Sequence, residues 1–166
     1  MGSTTLVYGT RGVGKTTELV RLAASLGERV LFACLEMGQH AATLHAVARR
    51  TQTDAADLWI SDAATLGELC AEVGRAPAPR AVVVDSLSSL ARGAEDAALA
   101  ALRRAMPRPC ALVATVHVTK AGAMAGPEDL AHLCDTIAKL TADAVTTEGE
   151  KNRFGVLASG ARPPRL

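Results

Sequence analysis

Gly9-Thr10-Arg11-Gly12-Val13-Gly14-Lys15-Thr16 is the stretch whose reading decides the fold. It matches GxxxxGK[ST] in full. Thr4–Tyr8, a short apolar run, precedes it, and Lys15–Ser25 follows with Leu19, Leu22 and Ala23 at helical spacing. A strand, a glycine-rich loop and a helix in that order are the context this motif requires. Glycines let the backbone wrap closely, so that successive N–H groups and the helix N-terminus face an anion. The residues expected to cradle a nucleotide are Gly9, Thr10, Arg11, Gly12, Val13, Gly14, Lys15, Thr16 and Thr17. Lys15 would reach the terminal phosphates of ATP as a point charge, and the Thr16 hydroxyl suits Mg²⁺, which takes hard oxygen ligands. The bland alternative is a glycine-rich turn with an exposed lysine.

Outward from the loop, short apolar runs alternate with helical patterns. Val30–Cys34 and Leu58–Ile60 read as strands, and His40–Arg50 as a helix with Leu44, Val47 and Ala48 on its apolar face. Thr65 is placed to cap a helix over Leu66–Val73, with Glu68 completing a capping box. Ala81–Val84 is apolar on both faces and reads as a central parallel strand. Glu95–Ala105 is an Ala/Leu helix, ended by Pro107 and Pro109, and Ala111–His117 is the next buried strand. A glycine-bearing loop at Lys120–Pro127 leads to a short helix near Asp129–Cys134. Thr136–Leu140, Ala144–Thr147 and Val156–Ser159 read as short antiparallel strands. The expected fold is a three-layer α/β/α P-loop domain with a mostly parallel central sheet and C-terminal antiparallel strands.

The same alternation nominates further site residues, because strand ends in such sheets line the nucleotide crevice. Asp85 ends the Ala81–Val84 run, where a Walker B carboxylate holds Mg²⁺; the plain alternative is a helix cap. Glu36 lies just past the second strand and would orient the attacking water, unless it is only an exposed loop acid. His117 ends the fifth strand, within reach of a γ-phosphate, although a strand-end histidine is commonly structural.

The 166 residues carry 49% apolar side chains and 21% charged ones, a globular composition long enough for one self-supporting core. Eighteen basic against 17 acidic residues leave a net charge of +1, so no global field advertises nucleic acid. Aromatics make up only 2% (Tyr8, Phe32, Trp59 and Phe154), which leaves little for base stacking. Cys34, Cys70, Cys110 and Cys134 form no CxxC pair, which argues against a zinc site and fits a reducing cytoplasm. No apolar run reaches the ~18–20 residues needed to span a bilayer, and no signal-peptide pattern is visible.

Several stretches together resemble one family. His117-Val118-Thr119-Lys120, Ala125-Gly126-Pro127 and Leu130-Ala131-His132-Leu133-Cys134-Asp135-Thr136 are similar to the RadA (Sms) branch-migration proteins. Lys151-Asn152-Arg153-Phe154-Gly155 resembles that family's KNRFG signature. Leu35-Glu36-Met37 is instead similar to the matching segment of DnaB replicative helicases. The resemblance runs from Thr4 to about Ser159 and implies a RecA-like ATPase motor core. It implies that Glu36 is the catalytic glutamate, that His117 is a sensor, and that Lys151 and Arg153 reach the nucleotide of a neighbouring copy in a homo-oligomer. It also implies single-stranded DNA held by loops after Asp85 and Lys120, in recombination, repair or replication. Taken on their own, Lys151 and Arg153 read as charges on a solvated hairpin. The expectation is one motor-core domain over residues 1–166, without the family's N-terminal zinc-binding module and Lon-protease-like domain.

Two other functions stay open. A nucleotide-dependent assembly module would bind ATP and a protein partner without moving DNA. A small-molecule P-loop kinase would need an arginine-rich lid, which the segment after His117 lacks.

Overall fold

Ala81–Asp85, with every side chain buried, has no polar face to offer solvent and therefore sits inside a sheet. The computed structural model describes residues 2–26, 29–36, 58–75, 77–119, 122–124, 126, 129–142, 144–146 and 160–161. Its strands are β1 (Thr4–Tyr8), β2 (Val30–Cys34), β3 (Leu58–Ile60), β4 (Ala81–Asp85), β5 (Ala111–Val116), β6 (Thr136–Leu140), β7 (Ala144–Thr146) and β8 (Gly160–Ala161). Its helices are α1 (Lys15–Ser25), α2 (Leu66–Val73), α3 (Leu87–Leu90), α4 (Glu95–Ala105) and α5 (Asp129–His132). The sheet order is β3-β2-β4-β5-β1-β6-β7-β8. The first six strands are parallel, and β7 and β8 add on antiparallel.

Both faces are covered, as a parallel sheet demands. On one face Leu19, Val20 and Ala23 of α1 pack on Val30, Phe32, Val83 and Val113. On the other, Leu69, Val73, Leu99 and Leu102 pack on Leu31, Val82, Val84, Leu112 and Ala114. The expected three-layer architecture is present. One expectation is corrected: Thr136–Leu140 pairs parallel with β1, Thr5 opposite Thr136, and only its other edge is antiparallel. Short, near-terminal strands carry no period that distinguishes the two pairings. The direction follows from the crossover that includes α5 and from Asp135, whose Oδ2 accepts the Thr4 amide at 2.8 Å.

Local signals hold where they could be read. Thr65 Oγ1 accepts from Glu68 N at 3.2 Å, and the Glu68 carboxylate accepts from Ala64 N and Thr65 N. The Ala64 amide first, then the Thr65 groups, lower the Glu68 pKa. The strand expected at Val156–Ser159, the helix at His40–Arg50 and the helix stop at Gly27 lie outside the described residues.

None of the four cysteines is in a disulfide, and Cys34, Cys110 and Cys134 are buried. Burial pushes the Cys110 thiol from 9.0 up to about 11. In the unfolded chain that thiol ionises at its ordinary value, whereas the folded chain keeps it neutral. Its contribution to stability is therefore complete below about pH 9 and is lost as pH rises toward 11. Urea midpoints across that interval should fall more for the parent than for Cys110→Ala, and parallel declines would refute the assignment.

Candidate active site

The glycine-rich loop joins β1 to α1 at the carboxyl ends of the parallel strands, where β1 lies between β5 and β6 and successive connections diverge. Three glycines have distinct reasons to be there. Gly12 (φ 79°) and Gly14 (φ 94°, the N-cap of α1) take left-handed dihedrals that L side chains rarely adopt. Gly9 lies against β6: a Cβ there would collide with the Leu140 carbonyl and come within 3.1 Å of Val13 Cγ1. Gly9→Ala should therefore cost about 1–3 kcal/mol by overpacking. Thermal melts should show this, and an unchanged melting temperature would contradict the close approach.

Lys15 is only 7% exposed, which excludes the exposed-lysine alternative. Its Nζ donates to the Gly9 carbonyl at 3.0 Å and the Thr10 carbonyl at 3.3 Å. Both acceptors are neutral, so an incoming phosphate offers the ammonium a stronger, charged partner. Val13 is buried beneath the loop, Arg11 is exposed at its rim, and Thr17 continues the first turn of α1.

Asp85 is fully buried at the end of β4. Thr16 Oγ1 donates a short hydrogen bond to its Oδ2, and Thr115 Oγ1 donates to Oδ1 at 2.6 Å. Burial raises the Asp85 pKa; the Thr115 and Thr16 hydroxyls oppose this, the Glu36 charge adds to it and Lys15 subtracts. Asp85 is not a helix cap, because Ser86 caps α3 by accepting from Ser89 N. A buried carboxylate and a touching threonine hydroxyl form a hard-oxygen donor pair suited to Mg²⁺.

Glu36 and His117 meet across the same edge. The Leu35 and Glu36 amides donate to the Asp85 carbonyl at 2.6 and 3.1 Å, which carries the β2 extension past the end of β4. Glu36 Oε1 then lies 3.3 Å from His117 Nε2. Ser86 Oγ is 3.4 Å from the same nitrogen, and Ser88 Oγ accepts the His117 amide at 3.3 Å. Beyond His117 the chain folds back: Thr119 N donates to the Ala123 carbonyl, and Val118 bridges Met124. Gly9, Arg11, Lys15, Glu36, Arg92 and His117 line a cleft of about 390 Å³.

The structure thus brings Lys15, Glu36 and His117 to one cleft, and bonds Thr16, next to Lys15 in the chain, to the buried Asp85. Lys151 and Arg153 lie outside the described residues. Sequence reasoning missed Thr115 and the serines that hold His117. A signal for Thr115 existed: a lone hydroxyl inside the apolar run Ala111–Val116 needs a buried partner.

No protein-family model matches the chain. Curated proteins do. "DNA repair protein RadA" of Mycobacterium tuberculosis strain H37Rv is 30% identical over 174 residues, covering 93% of this chain and 36% of that protein. The chain is a RadA-like P-loop domain. RadA of Pseudomonas aeruginosa is 29% identical over 94% of this chain and 38% of its own length. For RadA of Escherichia coli the figures are 29%, 94% and 37%. The RadA-like chain thus spans little more than a third of each of these relatives. Among solved structures, the flagellar accessory protein FlaH of Methanocaldococcus jannaschii aligns with a TM-score of 0.67 at 12% identity. It covers 96% of this chain and 84% of its own, a likeness that establishes a shared RecA-like fold. Among the described residues no helix is long and apolar enough to cross a membrane.

Proposed function

We propose that this RadA-like chain is the motor core of a cytoplasmic, Mg²⁺-dependent ATPase that works on single-stranded DNA as a homo-oligomer in DNA repair or recombination. The observation that carries the reading is the buried Lys15, bonded among the described residues to neutral loop carbonyls beside the Thr16–Asp85–Thr115 network. Thr16 and Asp85 would hold Mg²⁺, which when bound neutralises charge on the phosphate oxygens. Glu36, about a third exposed at the cleft rim, would orient the attacking water. His117 touches both Glu36 and Ser86, so it can pass the occupancy of the cleft to the hairpin that follows it. The chain's own +1 charge and its buried Phe32 and Tyr8 favour a salt-sensitive grip on the DNA backbone over base stacking.

Lys151 and Arg153 complete the proposal by reaching the nucleotide of the adjacent copy, where a guanidinium stabilises charge on the transferred phosphoryl group. Arg153→Ala should then lower DNA-stimulated hydrolysis by about a thousandfold or more in the assembled particle while leaving assembly intact. Unchanged hydrolysis in an assembled variant would remove the trans-acting role. The burial of Phe32 and Tyr8 also favours a second reading, a nucleotide-dependent assembly module that binds no DNA. Anisotropy of a labelled single strand with a non-hydrolysable ATP analogue separates the two, since saturable, salt-dependent binding belongs only to the motor.

A further inference from the structure

The opposite pole of the sheet, where the parallel strands begin, gathers five arginines and, beside Thr4, the Asp135 carboxylate. Arg29 and Arg80 stand just before β2 and β4. Arg80 N donates to the Arg29 carbonyl at 2.9 Å, and Ala111 N donates to the Arg80 carbonyl at 2.9 Å, which brings these strand starts together. Helix α4 runs back to this pole and ends in Arg103 and Arg104, and Arg108 lies in the connection to β5. All of these arginines are exposed. Arg103 Nη1 donates to the Leu133 carbonyl at 2.9 Å. Among the described residues, none of them forms an ion pair.

The arginines border a cleft of about 340 Å³, within the size range of small-ligand sites. Arg103, Arg104 and Arg108 line it together with Gly2, Thr4 and Cys110; among the described residues no carboxylate lines it, and Asp135 accepts the Thr4 amide. Its floor is closely packed: a Cβ on Gly2 would collide with the Cys110 carbonyl. The Cys110 thiol, held neutral by burial, adds no negative charge. The cleft lies one strand length, roughly 16 Å at about 3.3 Å per residue, from the glycine-rich loop. It is therefore a separate site. Arg103, Arg104 and Arg108 outnumber the Asp135 carboxylate beside Thr4, an excess of positive charge that a bound anion would offset. Each of these cations is an arginine, whose planar fork binds phosphate oxygens in pairs.

We propose that this cleft is a second phosphate-recognition site, in which Arg104 and Arg108 grip a phosphodiester backbone or a free polyphosphate. The proposal does not depend on the reading of the glycine-rich loop.

The test compares the Lys15→Ala chain, which silences the loop's phosphate site, with and without Arg104→Ala plus Arg108→Ala. The probes are inorganic tripolyphosphate by calorimetry and a fluorescein-labelled oligothymidylate by anisotropy. Both substituted side chains are exposed, so the melting temperature should not move. Affinity should fall about tenfold for at least one probe, and the log–log salt slope for the strand should shrink by about 1.4 if both contacts are to its phosphates. Loss confined to the strand supports a phosphodiester ligand, and loss confined to tripolyphosphate supports a free polyphosphate. Unchanged affinity for both probes overturns the site. So does full restoration by Arg104→Lys plus Arg108→Lys, which keeps the charge and removes the forks, or equally strong competition by poly-glutamate.

Discussion

Lys15→Ala is expected to lower ATP hydrolysis by about a hundredfold to a thousandfold, the scale seen when one preorganised donor to a developing charge is removed. The ammonium sits inside the loop, 7% exposed, so its position does not have to be assembled when phosphate arrives. Its hydrogen-bond partners among the described residues are the Gly9 and Thr10 carbonyls, and losing these two bonds should cost the fold only about 1–2 kcal/mol. Activity and stability should therefore separate. Steady-state hydrolysis and thermal melts on the same preparation check this. Hydrolysis at the parent rate would end the assignment of this loop as the catalytic phosphate site.

Asp85→Asn should produce a sharper separation. Hydrolysis should drop by about a thousandfold, since the amide holds Mg²⁺ poorly and that ion's charge stabilisation is worth several kcal/mol. Without nucleotide or metal, however, the variant should be at least as stable as the parent. Burial raises the Asp85 pKa, and Glu36 adds to the strain of ionising it. A carboxyl raised in the folded state contributes stability that is complete below its unfolded pKa and is lost as pH rises through the folded value. Asn carries no such loss. Its oxygen can still accept from one of Thr16 and Thr115, while its amino group donates to the other hydroxyl. The stability difference in favour of the variant should thus widen as pH rises out of the acid range. Chemical denaturation at several pH values checks the sign, and a clear destabilisation at neutral pH would show that the carboxylate itself holds the strand ends together.

What could be read in the chain depended on how local its cause was. The glycine-rich loop is a contiguous motif whose backbone needs are met by Gly12 and Gly14 in place, so its role was legible without any neighbour. The capping box at Thr65 and Glu68 was equally local. Asp85 and Glu36 were legible because they terminate apolar runs, and strand ends in a parallel sheet must meet at one edge. The need for glycine at position 9 was less legible, because it comes from close approach to Leu140, a residue far along the chain.

By itself, the sequence determined the element order, the loop and the polarity of the sheet edge that carries the site. These follow from hydrophobic period and turn chemistry, which act over a few residues. Only the tertiary structure decided that β6 joins β1 in parallel, that Thr115 rather than solvent satisfies Asp85, and that His117 faces Glu36. It alone gathered Arg29, Arg80, Arg104 and Arg108, scattered along the chain, at the opposite pole. The physical reason is common to all of these. Partner choice in a sheet depends on which strand edges and side chains are brought to the same point in space, and no short-range pattern in the chain encodes that distance.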